Sequence, residues 1–169
     1  ASMVRLMDAC AEYNRKMLIL DRPNPNGHYV DGPILDMKYK SSVGWLPIPI
    51  VHGMTLGELA LMVNGERWLP ASRICDITVI KCKNYTHQTM YELPIPPSPN
   101  LPNMKAVYLY PSTCYFEATP VSLGRGTQLP FQIYGHPNML GYDYTFTPQS
   151  IPGAKNPPQL NRICHGVNL

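Results

Sequence analysis

Apolar side chains at Met3, Leu6, Met7, Cys10 and Ala11 follow an i, i+3, i+4, i+7, i+8 spacing that predicts an amphipathic helix at the start of the chain. Asn14-Arg15 ends it, and Lys16-Met17-Leu18-Ile19-Leu20 follows as a short run that is apolar after its lysine. Unbroken apolarity marks a strand covered on both faces. A helix passing directly into Lys16–Leu20 therefore predicts the αβ half of a parallel α/β unit, with that strand central and buried. Such a unit needs earlier strands and none precedes this one, so the chain reads as if it starts within a domain.

Further along, Pro33, Pro47 and Pro49 exclude a long helix from residues 28–54. Thr55-Leu56-Gly57-Glu58 is a capping box, in which the threonine hydroxyl and the glutamate carboxylate each satisfy the other's backbone N–H. Leu59, Met62 and Val63 continue the apolar stripe of the helix it opens, and Asn64-Gly65 predicts a left-handed stop. The β-branched run Ile74–Cys82 predicts a strand. Five prolines between Leu93 and Pro102 impose extended or turn geometry. Short helices are expected around Asn103–Tyr110 and Ser112–Ala118, and strands at Phe131–Tyr134 and Tyr142–Thr147. The tail, Gln149–Leu169, shows no period. It ends without terminal logic, which reads as truncation on that side too.

Composition narrows the class. A chain of 169 residues can bury roughly 70% of its unfolded surface, enough for a core without disulfides. Only 15% of residues are charged, against roughly 25% in ordinary domains, which excludes a polyelectrolyte or a coiled coil. Nineteen prolines exclude a helical bundle and leave a loop-rich α/β or α+β unit. The net charge of +3 is spread over scattered lysines and arginines, so no nucleic-acid partner is expected. No apolar run reaches the roughly 18 residues of a membrane span. The five cysteines are irregularly spaced and include no C-x-x-C, and the five histidines show no paired spacing. Cys75 and Cys82, seven apart on one expected strand, would face opposite ways. No metal and no cofactor is expected.

Candidate chemistry gathers at three places. Asp21-Arg22-Pro23-Asn24-Pro25 follows the carboxyl end of the first expected strand, where open α/β sheets place ligands. It sets a carboxylate, a guanidinium and an amide on a stiff loop suited to a sugar or a carboxylate. An Asp-Arg pair and an Asx turn that only pin the loop would look the same. His52 stands just before a capped helix N-terminus, open to a polar ligand or simply packing the turn. Glu58 is expected to be structural. Ser122-Leu123-Gly124-Arg125-Gly126-Thr127 offers three kinds of donor between glycines, without the lysine of a nucleotide loop, although a flexible surface loop would look alike. Glycoside hydrolysis needs two carboxyl groups, and no spacing pairs any two here.

Several motifs together resemble one bacterial family. They are Leu20-Asp21-Arg22-Pro23-Asn24-Pro25, Asp31-Gly32-Pro33, Pro47-Ile48-Pro49-Ile50 leading into His52-Gly53-Met54-Thr55-Leu56-Gly57-Glu58-Leu59-Ala60, Pro97-Ser98-Pro99-Asn100-Leu101-Pro102, Tyr110-Pro111-Ser112-Thr113-Cys114, and Gly124-Arg125-Gly126-Thr127. In that order they resemble the NamZ-like exo-β-N-acetylmuramidases, and the match covers almost the whole chain. The resemblance implies an internal piece of a longer protein: residues 1–90 as the end of a Rossmann-like parallel-sheet domain, running into a mixed α+β C-terminal domain from 91–169. It implies cleavage of terminal N-acetylmuramic acid from peptidoglycan fragments outside the cytoplasm, in the periplasm or beyond. Muropeptides or amino sugars would be the partners. Substrate contacts would come from Asp21, Arg22, Asn24, His52, Asn100, Ser122, Arg125 and Thr127, with Arg22 or Arg125 on the lactyl carboxylate.

This chain departs from the family where it reads Glu117-Ala118-Thr119-Pro120 in place of Glu-Gly-Thr-Asn, and at Leu123, where an acidic residue is common. The family's proposed catalytic glutamate belongs to a stretch absent here. The catalytic group is expected upstream, with Asp21 and Glu117 the in-chain candidates, and the 169 residues alone are expected to be inactive and short of sheet partners. A non-catalytic muropeptide- or carbohydrate-binding module and a structural interaction domain remain the alternatives.

Overall fold

A computed structural model describes residues 1–169, which divide by their contacts into two compact units, Ala1–Tyr91 and Glu92–Leu169. In chain order the first contains α1 (Ser2–Glu12), β1 (Met17–Leu20), β2 (Asp31–Ile34), β3 (Pro49–Val51), α2 (Leu56–Gly65) and β4 (Ile77–Ile80). α1 turns Met7 of the expected stripe, and Val4 beside it, into a core shared with Ile19, Ala60, Val63 and Cys75, with Met3, Cys10 and Ala11 packed against it, whereas Leu6 of the stripe is exposed. Asn14, at φ +52°, ends the helix as expected of a residue that tolerates the left-handed region. Arg73 donates from Nε and Nη2 to the single oxygen Oδ1 of Asp8, at 3.0 and 2.6 Å, and ties the approach to β4 onto α1.

β1 and β4 pair in parallel, from Met17 opposite Ile77 to Leu20 opposite Ile80. The expected parallel strand is there, but not in a central position: the sheet has these two strands only. Ile19 is buried while Leu18 and Leu20 are 61% and 70% exposed, because helices cover one face alone. The strand expected over Ile74–Cys82 shortens to β4, so Cys75 and Cys82 both lie outside it. β2 and β3 form a separate antiparallel pair.

The capping box forms, but the stop expected at Asn64-Gly65 does not. Both residues stay helical, and the left-handed residue is Arg67 at φ +54°. The Asn64 side chain is engaged instead by the backbone of Cys75.

The second unit holds α3 (Met104–Thr113), β5 (Ile133–His136), β6 (Tyr144–Phe146) and β7 (Cys164–Asn168). Asn103 caps α3 by accepting the Ala106 N–H at 2.9 Å. The two short helices expected here are one helix that runs through Pro111 in its last turn, then a single 3-10 turn at Cys114–Phe116. The strand expected at Phe131 begins two residues later, since Phe131 itself has φ +57°. β7, unassigned from sequence, is the centre of an antiparallel sheet ordered β5-β7-β6.

Candidate functional site

In the first unit, the chain leaves β1 at Asp21, whose N–H donates to the Ile80 carbonyl at 3.0 Å. Its carboxylate turns to the N-terminus of α2. Oδ1 accepts the N–H groups of Arg22 and Gly57, each at 2.9 Å, and Oδ2 accepts the Thr55 hydroxyl at 2.6 Å. An acidic group there satisfies free N–H donors and the helix dipole together. Gly57 permits the approach, since a Cβ would stand 2.8 Å from Asp21 Oδ2 and overlap the Val79 side chain.

Glu58 uses its carboxylate twice. Oε2 accepts the Thr55 N–H at 2.8 Å, closing the capping box, while Oε1 lies 3.0 Å from Nε2 of His87. The other ring nitrogen of His87 lies 2.9 Å from the Gly27 carbonyl oxygen. These hydrogen bonds, the Gly27 contact first and Glu58 second, raise the His87 pKa above the usual histidine value. Burial pushes the Glu58 carboxyl up, but the Thr55 N–H and His87 outweigh it and hold it below the usual range.

Asp21, Thr55, Glu58, Lys81, Cys82, Tyr85, Thr86 and His87 line a cleft of about 210 Å³, with Leu61 and Val79 as its apolar floor. Asp21 and Lys81 directly follow β1 and β4, so the cleft lies off the carboxyl ends of the parallel strands. Asn24 supports its wall from behind: the backbone N–H and carbonyl of Asn24 bond the Tyr85 hydroxyl at 3.2 and 3.0 Å. The Asn24 side chain donates to the Met54 carbonyl and accepts the Asn26 N–H. It is thus taken up by the Asx turn. His52 accepts the Met54 N–H on Nδ1 at 3.1 Å and packs the turn, where burial lowers its pKa. The Arg22 side chain is exposed.

The second unit keeps the remaining candidates. Gly124 and Gly126 have φ +75° and +83°, giving the loop its left-handed corners. The Ser122 backbone bridges Gly135 at 2.8 and 2.9 Å with its side chain fully buried. The Thr127 hydroxyl donates to the Gly124 carbonyl at 2.7 Å. Ser122 thus serves a β-bridge and Thr127 the turn. Arg125 carries the loop's charge, its Nε buried without a hydrogen-bond acceptor. Its positive charge and the Glu117 carboxylate both act on the Tyr110 phenol. Desolvation and then Glu117 push that phenol up to about 12. Asn100 donates to the Gly153 carbonyl at 3.1 Å and fastens the proline-rich segment. No group of three or more His, Cys, Asp or Glu side chains is placed to hold a metal ion, and no helix is long and apolar enough to cross a membrane.

Sequence reasoning missed His87, Tyr85 and Lys81. The only available signal was a hydrogen-bonding segment after the second parallel strand, the position where an α/β crevice draws its residues.

The family model for the N-terminal part of the exo-β-N-acetylmuramidase NamZ matches residues 1–105, and the model for its C-terminal part matches residues 108–169. The chain belongs to the NamZ family. Among NamZ relatives, the peptidoglycan β-N-acetylmuramidase NamZ of Bacillus subtilis (strain 168) is 38% identical over 184 residues, spanning 99% of this chain and 44% of its own length. Two crystal structures of DUF1343 family proteins from Bacteroides fragilis share the NamZ fold seen here. One, at 1.30 Å, is 88% identical with a TM-score of 0.98, over 99% of this chain and 48% of its own. The other is 28% identical with a TM-score of 0.83, over 98% of this chain and 47% of its own. The chain thus spans about half the length of the NamZ relatives it matches.

Proposed function

We propose that this chain is part of a glycoside hydrolase that releases terminal N-acetylmuramic acid from peptidoglycan fragments during cell-wall turnover and recycling, and that it supplies part of the substrate cleft. The supporting observation is the pair of NamZ family models along the chain, together with 38% identity to a peptidoglycan β-N-acetylmuramidase. Residues up to about Met90 in this reading close a Rossmann-like domain, and those after it open the α+β domain. The protein works in the periplasm or outside the cell, where peptidoglycan fragments arise. Muropeptides or amino sugars are its partners.

The general acid, in this reading, is none of the in-chain candidates. The Asp21 carboxylate is already engaged as the acceptor of three hydrogen bonds at the start of α2, which leaves it a structural role there. Glu117 stands beside a phenol held in its protonated form. What the chain contributes is binding, through the polar wall of the cleft in the first unit, and each unit carries an arginine candidate of its own, Arg22 in the first and Arg125 in the second. A guanidinium can grip the lactyl carboxylate that distinguishes N-acetylmuramic acid from N-acetylglucosamine.

The test is hydrolysis of a chromogenic β-N-acetylmuramide and the matching β-N-acetylglucosaminide by the complete protein, with Arg22→Ala and Arg125→Ala beside it. Turnover of the muramide alone, weakened by at least one of the arginine changes, is expected. The engaged carboxylates also suit a second reading, a muropeptide-binding module without catalysis. Binding of the muramide without turnover would establish that module instead.

A further inference from the structure

Both ring nitrogens of His87 face oxygen acceptors. Nδ1 lies 2.9 Å from the Gly27 carbonyl and Nε2 lies 3.0 Å from the Glu58 carboxylate. A carbonyl and a carboxylate can only accept, so satisfying both contacts requires a proton on each nitrogen. The ring in this arrangement is an imidazolium. Its partners sit on different parts of the unit: Gly27 on the loop after β1, Glu58 in the first turn of α2. His87 itself belongs to the segment after β4, which supplies Cys82, Tyr85 and Thr86 to the cleft wall.

We infer that His87 is a positioning residue of the cleft: its imidazolium clamps the Cys82–Gln88 wall onto the 24–27 loop and α2, and loss of its proton releases that wall. The inference uses the muramidase reading only for its activity measurement, because the clamp itself stands on hydrogen-bond geometry. A neutral ring keeps one N–H and presents a lone pair to the other oxygen, so one contact must break whichever tautomer forms.

The charged and titratable groups around the ring agree with a cation. Glu58 faces it from α2 and the Gly27 carbonyl from the loop after β1. Asp21 lines the same cleft. From its own segment the Tyr85 ring approaches edge-on at 6.3 Å, and Cys82 and Lys81 line the cleft beside it. Partial burial of the ring is what opposes the charge. The wall has a second fastening, the Tyr85 hydroxyl on the Asn24 backbone, so release at His87 loosens it without unfolding the unit.

Three measurements on the complete protein decide the matter. The first is NMR titration of the His87 imidazole, which should deprotonate above the ordinary histidine range. Glu58→Gln should return it toward the ordinary value, and glutamine at that helix position preserves the capping box. The second is amide hydrogen exchange across Cys82–Gln88. Corrected for intrinsic rates, it should speed about tenfold or more as the ring deprotonates, and His87→Gln should show the faster rate at every pH. The third is muramide hydrolysis, whose KM should rise through the same titration and become flat over that range in His87→Gln, with kcat little changed. A His87 titration at or below the ordinary value, or one unmoved by Glu58→Gln, overturns the inference. So does exchange that ignores the titration. A complete protein that does not hydrolyse the muramide overturns the proposed reaction instead, and the first two measurements still judge the clamp.

Discussion

The Asn64 side chain pairs with the Cys75 backbone in both directions: Nδ2 donates to the Cys75 carbonyl at 2.7 Å, and Oδ1 accepts the Cys75 N–H at 3.1 Å. An amide on the last turn of α2 thus does for Cys75 what a neighbouring strand would do. Cys75 is only 1% exposed, so water cannot take over these bonds.

Asn64→Ala should therefore be strongly destabilising. It strands a buried donor and a buried acceptor, each costing about 1–3 kcal/mol. Chemical denaturation of wild type and variant measures the loss. A change no larger than that of an ordinary surface substitution, within about 0.5 kcal/mol, would contradict the pairing.

Thr55 has two duties, since it caps α2 and donates to Asp21. Thr55→Ala should cost about 1–2 kcal/mol, the loss of a cap with a further hydrogen bond. Thr55→Ser keeps the hydroxyl and should recover most of it, as a paired thermal melt would show.

Gly124 and Gly65 should respond to alanine with opposite signs. At Gly124 a Cβ would stand 2.5 Å from Ile133 Cγ1 and 2.6 Å from the Leu129 carbonyl oxygen, in a left-handed backbone. Gly124→Ala should destabilise by about 2 kcal/mol or more, through strain and overpacking together. At Gly65 nothing lies within 4 Å and the backbone is helical, so Gly65→Ala should stabilise by about 0.4–1 kcal/mol. Urea unfolding midpoints of the two variants provide the comparison.

The ion pair of Glu58 and His87 gives stability a bell-shaped dependence on pH. The folded-state pKa of His87 is raised, so its contribution is complete below the ordinary histidine value and is lost as pH rises through the raised one. The Glu58 pKa is lowered, so its contribution is present above the ordinary carboxylate value and is lost as pH falls through the lowered one. Melting temperatures across the acid to mildly alkaline range should peak between these limits. In Glu58→Gln the alkaline shoulder should flatten.

Tyr110 should ionise late, at about 12, because desolvation and then Glu117 disfavour the phenolate. Ultraviolet titration should show this late step, and Glu117→Gln should bring it earlier. Stability should decline between the ordinary tyrosine value and about 12 as the unfolded chain loses its proton first.

Features that depend on near neighbours along the chain were legible in the residues alone. Of the α1 stripe, Met7 turns fully inward and Met3, Cys10 and Ala11 pack against the core, while Leu6 is exposed and Val4 is buried in its stead; the Thr55–Glu58 capping box needs only residues three apart. The run after Lys16 makes a parallel strand with Ile77–Ile80, and the family motifs survive because they are local strings. Contacts between distant segments settled the rest. β7 escaped notice because its inward residues are Cys164 and Gly166, which carry almost no hydrophobic signal yet let Tyr134 and Gly135 approach closely. Asn64 reads as a helix stop until Cys75, 11 residues on, claims its amide. Asp21 and Asn24 are already marked by their proline-bound loop, but whether their side chains are free depends on Thr55, Gly57 and Met54 across the unit. The charge of His87 depends on Gly27 and Glu58, which stand 60 and 29 residues away in the chain. A proton's affinity is set by the atoms around it in space, and only the folded chain brings those atoms together.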